Sequence, residues 1–206
     1  MKQDKATQFL KIALADTERH LNEVFDRARI WTEADIQTHT VSNLYRLLSQ
    51  CPGEWIINSC KTVDIFKPDI AVYWLPGYHH LSRFLRSSNS GQMNFIVGII
   101  EIKWFAGLKA IGLDLAKLRN LQRKIKRVHG KSIITWIVFG DHFSNDIHPG
   151  NYQSQLGREK KISDWVSEAP SNRGMSILKF GNLKGLSSKS NSVRSAFNRH
   201  FWAHPE

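Results

Sequence analysis

The chain has 206 residues, enough for one domain with a substantial buried core and no need of disulfide or metal staples. Its 29 lysines and arginines against 18 acids leave a net charge of +11 and a pI near 9.8, which favours a polyanionic partner, although charge alone does not separate nucleic acid from an anionic membrane surface. Two cysteines, Cys51 and Cys60, cannot build a disulfide framework or, by themselves, a complete zinc-ligand set, and the longest apolar run, Phe95 to Ile100, is too short to span a bilayer. With no charged-then-apolar leader at the start, the expectation is a soluble cytoplasmic protein with no membrane contact.

In chain order, Lys5 to Arg29 reads as an amphipathic helix with Leu10, Leu14, Leu21 and Phe25 on one stripe. A second helix opens at Thr32-Glu33-Ala34-Asp35, which has the form of a capping box, and runs to about Gln50 with Ile36, Leu44, Leu47 and Leu48 inward. Glu54 to Cys60 is a strand, and Thr62 to Phe66, with Asp64 as a turn acid, leads into the next, Phe66 to Trp74. The tract Gly77 to Gln92 holds His79-His80, Arg83, Arg86 and four serines; it reads as an exposed, mobile hairpin loop whose arginines can reach a phosphate backbone.

Phe95 to Trp104 is a third strand, followed by a helix from Gly107 to His129 with Leu108, Ile111, Leu115, Leu118 and Ile125 as its buried stripe. The outer face of that helix is basic, through Lys117, Arg119, Arg123, Lys124, Lys126 and Arg127, with Asp114 its one acid. Both a solvated face and a duplex contact account for such a run. Ser132 to Gly140 is a further buried strand, reached by a right-handed crossover if it pairs in parallel. Asp141 to Gly150 reads as a surface loop, Lys160 to Ser167 as a short helix, Ser176 to Phe180 as an edge strand, and Lys184 to His204 as a basic tail. The expected organisation is a single domain, with a core over residues 31–140 and a basic extension over 141–206.

The third strand is apolar on both faces, so it belongs in the middle of a sheet. Alternation places Phe95, Val97, Ile99, Glu101 and Lys103 on one face and Ile96, Ile100, Ile102 and Trp104 on the other. Charged groups leaving a buried strand are costly unless paired or bound to a metal. If the second and third strands pair antiparallel with Leu75 opposite Phe95, the same register sets Asp69 opposite Glu101, with Cβ atoms roughly 5 Å apart. Two facing carboxylates repel unless a cation lies between them.

At these residues the chain resembles the PD-(D/E)xK nuclease superfamily, with Pro68-Asp69 matching one half of the motif and Glu101-Ile102-Lys103 the other. The separation of the halves is on the long side for the family, the excess being the tract from Pro76 to Met93. The resemblance covers about Trp31 to Gly140 and implies an α/β, restriction-endonuclease-like core in the order α-β-β-β-α-β, with about four strands in a small mixed sheet. It also implies Mg²⁺-dependent hydrolysis of DNA phosphodiester bonds, as an endonuclease, with Mn²⁺ able to substitute. Asp69 and Glu101 would hold the metal, with the Ile102 carbonyl as a further ligand, and Lys103 would orient the attacking water and help deprotonate it.

Many members of the superfamily add a glutamate from the leading helix; Glu33 is best placed for that here, with Gln37 as an accessory polar group one turn on. Glu33 is equally accounted for as a first-turn acid on the helix dipole. Lys117, Arg123, Lys124 and Arg127 would contact DNA, and a two-fold homodimer, or a larger assembly, would match the antiparallel strands of a duplex. The alternatives are a nucleic-acid-binding module that keeps this fold without cleaving, and a partner-binding protein with an accidental motif.

Overall fold

Burial follows the sequence stripes closely in the first two helices. In this computed structural model, residues 3–26, 32–59, 63, 66–104, 108–140 and 175–180 are described. Helix α1 (Gln3–Asp26) buries Leu10, Leu14 and Leu21, and helix α2 (Glu33–Leu48) buries Ile36, Leu44 and Leu48. Thr32 caps α2 through a reciprocal box: its Oγ1 accepts from the Asp35 N–H at 3.2 Å, and the Asp35 carboxylate accepts from the Thr32 N–H at 2.8 Å. Polar contacts also join the two helices, with Asn43 donating to Thr17 at 3.1 Å and Arg46 to Asp16 at 2.9 Å.

Among the described residues, five strands form one mixed sheet in the order β1 (Glu54–Ser59), β2 (Ile70–Leu75), β3 (Ile96–Trp104), β4 (Ile134–Gly140) and β5 (Met175–Phe180). The first three run as an antiparallel meander, while β3, β4 and β5 are parallel neighbours. Helix α5 (Leu108–His129) connects β3 to β4, as a parallel pair requires. Helices α1 and α2 cover one face of the sheet over Ile70, Val72, Trp74, Ile100, Ile102 and Val138. Helix α5 covers the other, packing Leu118, Leu121 and Ile125 against Ala71, Tyr73, Ile99 and Ile137. The fold is thus α/β, a mixed sheet flanked by helices. Gly98 admits α1 to the centre of β3, because a Cβ there would run into the buried Leu10 side chain.

Two expectations are corrected. The tract after β2 is not a loop: it forms helix α3 (His79–Arg86) and the short turn of helix α4 (Asn89–Gln92). Phe84 is buried there edge-on to Tyr73, with ring centroids 5.0 Å apart, and Gln92 donates to the Phe84 carbonyl at 2.9 Å. Apolar anchoring of Phe84 and Leu81 onto the sheet outweighs the local Ser/Gly content. His80 rests near the Phe95 ring, at 5.9 Å, with His79 beside it.

The second correction concerns register. Ile70 faces Ile100 and Val72 faces Gly98, as expected, but a bulge between Val72 and Tyr73 then shifts the pairing by one, so Tyr73 faces Ile96 and the Trp74 N–H donates to the Phe95 carbonyl. Leu75 therefore does not face Phe95. Val97 turns to the α1/α2 face with Ile100, and Ile96 to the α5 face with Ile99, the reverse of strict alternation. Asp64, Cys60, Asp141 to Gly150, Lys160 to Ser167 and Lys184 to His204 lie outside the described residues. Among the described residues no helix is long and apolar enough to cross a membrane.

Candidate active site

Because the bulge lies on the hairpin side of Val72, the other end of the β2–β3 pair keeps the register that brings Asp69 to Glu101. Asp69 sits half-buried one residue before β2 begins, beside the buried Pro68. Its Oδ2 accepts the Ile102 N–H at 2.7 Å, taking the place of the strand partner that β2 no longer supplies. A strand residue directs its N–H and C=O to the same edge, so the Ile102 carbonyl also faces the Asp69 side. Gln37, from α2, donates to the Asp69 main-chain carbonyl at 2.9 Å and ties that helix to the site.

Glu101 leaves the central strand on the α5 face and is only 6% exposed. One of its oxygens, Oε1, accepts from the Lys103 ammonium at 3.1 Å; the other, Oε2, is buried and accepts no hydrogen bond. Burial, and then the charge of Asp69, push the Glu101 carboxyl up to about 7, against the opposing pull of Lys103. Lys103 shares its ammonium with Asp114 of α5, at 3.1 Å from Oδ2, and Asp114 Oδ1 accepts from Lys117 at 2.9 Å. Burial lowers the Lys103 pKa, but Glu101 and Asp114 outweigh it and hold the ammonium above its ordinary range. The approach to β2, strand β3 and helix α5 thus set Asp69 beside Glu101 and continue from Glu101 as a chain of alternating charge: Glu101, Lys103, Asp114, Lys117.

The structure therefore brings Asp69, Glu101, Ile102, Lys103 and Gln37 together. Glu33 lies exposed in the first turn of α2. Among the described residues, no three His, Cys, Asp or Glu side chains already converge as a ready cation cage. The donor chemistry nevertheless suits a hard divalent ion, since the orphaned Glu101 oxygen beside a second carboxylate is the kind of atom such an ion satisfies. Asp114 joins this site although the sequence pattern presents it only as the lone acid of a basic helix. Its helical phase was the available signal: it lies four residues before Leu118 and seven before Leu121, both buried.

Arg123, Lys126 and Arg127 are exposed on α5, Lys117 is exposed near its site end, and Arg119 and Lys124 are half-buried. Helix α5 carries seven lysines and arginines against one acid, whereas α1 and α2 together carry seven acids against four. The sheet thus separates a basic helical layer from an acidic one. Compared with protein-family models, curated proteins and solved structures, the chain finds no match.

Proposed function

We propose that the chain is a metal-dependent nuclease of the PD-(D/E)xK kind, hydrolysing DNA phosphodiester bonds as an endonuclease. The observation that carries this reading is Glu101: a buried carboxylate with one oxygen orphaned, beside Asp69 at the end of paired strands, with an ammonium at its other oxygen. Asp69, Glu101 and the Ile102 carbonyl would hold Mg²⁺ or Mn²⁺. When bound, such an ion neutralises charge on the scissile phosphate and acidifies a water.

The protein's own contribution is placement. The Ile102 N–H fixes one oxygen of Asp69, and Gln37 fixes its main chain. Lys103, on the strand that carries Glu101, supplies a cationic donor that orients the attacking water and stabilises negative charge on the phosphorane. The exposed basic residues of α5 run from Lys117, beside this site, to Arg127, and support a polyanionic substrate lying along that face. Cutting both strands of a duplex calls for a two-fold pair of copies, since each chain offers one Asp69/Glu101/Lys103 set.

A second reading, a nucleic-acid-binding module that does not cleave, is favoured by one observation: the Lys103 ammonium already stands between Glu101 and Asp114 as a resident cation. Supercoiled plasmid separates the two. Wild-type protein should nick it with Mg²⁺ and not with EDTA, and Asp69→Asn, Glu101→Gln and Lys103→Met should each lower the rate by about 10²–10⁴-fold. Salt-sensitive DNA binding without any metal-dependent nicking would install the second reading instead.

A further inference from the structure

We infer that Asp114 acts through Lys103 to set how tightly a divalent ion binds at Glu101. This rests on the nuclease reading above. Asp114 is 7% exposed, an unusual place for an acid on a helix whose other charged residues are all basic. Its two oxygens are used differently. Oδ2 takes the Lys103 ammonium at 3.1 Å, the same distance at which that ammonium meets Glu101 Oε1, so a single nitrogen spans carboxylates from β3 and α5. Oδ1 takes Lys117, whose side chain is 56% exposed and reaches the site from outside.

The consequence is a competition for Lys103. Divided between two carboxylates, its positive charge is only partly spent on Glu101, which leaves the orphaned Oε2 available to an ion. Without the Asp114 charge, Lys103 would settle wholly on Glu101, and the local potential would become more positive. Both effects weaken cation binding. Removing the Lys117 charge acts the other way, since Asp114 is then less neutralised. A bridge that served only to pin α5 to the sheet would be broken by Asp114→Asn alone, because Lys117 meets Asp114 within α5, and Lys117→Met would then not tighten Mn²⁺ binding.

Mn²⁺ titration of the full-length protein without DNA, read by calorimetry or by the paramagnetic signal of free Mn²⁺, distinguishes these cases. Asp114→Asn should weaken Mn²⁺ binding by about tenfold and Lys117→Met should tighten it by a few-fold, on the order expected for one charge a few ångströms away. Asp114→Glu, which keeps the charge, should stay close to wild type. Unchanged affinity in Asp114→Asn, or unchanged or weaker binding in Lys117→Met, overturns the inference. If Asp114→Asn does not fold, the exposed Lys117→Met change decides it alone, and unchanged or weaker binding there is a refutation. Wild-type protein that takes up no Mn²⁺, or Glu101→Gln protein that binds as wild type does, removes the nuclease site itself and this inference with it.

Discussion

Replacing Glu101 by Gln should stabilise the metal-free protein, and by an amount that grows with pH. Burial and the Asp69 charge lift the Glu101 carboxyl from its ordinary 4.5 to about 7 in the folded chain. At acid pH the group is protonated in folded and unfolded chains alike, so its ionisation costs folding nothing. As pH rises through the window between those two values, the unfolded chain gives up the proton while the folded chain still holds it, and stability falls. Above the folded value the loss is complete. At about 1.4 kcal/mol per unit, it reaches about 3 kcal/mol.

Gln has the same shape and no charge to bury, so the variant should escape the loss. Urea denaturation of both proteins in EDTA, from about pH 5 to about pH 8, should show curves that separate progressively in favour of Glu101→Gln. Asp16 behaves oppositely: burial raises its pKa, but hydrogen bonds from Asn43 and Arg19 outweigh that and lower it. Its contribution fades as pH falls, equally in both proteins, and cancels in the difference. Mg²⁺ should return stability to the wild type at the upper end and leave Glu101→Gln unmoved. A stability difference that is flat with pH would refute the account of Glu101 as a buried, strained acid.

Charge reversal at the exposed Arg123 and Arg127 should weaken DNA binding for all sequences alike and reduce the salt slope of log K by about two, a loss that equilibrium binding over a salt series measures directly. An unchanged slope would take DNA off the α5 face. In the turn between α2 and β1, Gly53 has φ +93°, and a Cβ there would meet the Trp74 indole nitrogen and lie 2.7 Å from the Leu75 carbonyl oxygen. Gly53→Ala should therefore cost about 1–3 kcal/mol and disturb the 3.1 Å bond from the Trp74 indole to Pro52, seen as lower urea tolerance. Wild-type stability in that variant would show that the turn relaxes freely.

The amphipathic helices, the Thr32 cap and the central place of β3 were legible in the residues themselves, because each depends on local periodicity or on side chains three or four positions apart. The register that joins Asp69 to Glu101 was legible only in part, because a count from Leu75 opposite Phe95 fails at the turn and the bulge is what restores Ile70 opposite Ile100. The helical course of His79 to Gln92 was not, since the burial of Phe84 against Tyr73 that holds it is a contact between distant residues. Nor was the bulge that exchanges the faces of Ile96 and Val97: alternation is the rule a sequence can express, and a bulge is its local exception. Asp114 shows the division most clearly. Its chemistry and helical phase stand in the sequence, but whether an inward acid meets an ammonium or an apolar wall depends on which strand lies beneath α5. Only the parallel pairing of β3 with β4, and the helix that must cross between them, puts Lys103 there.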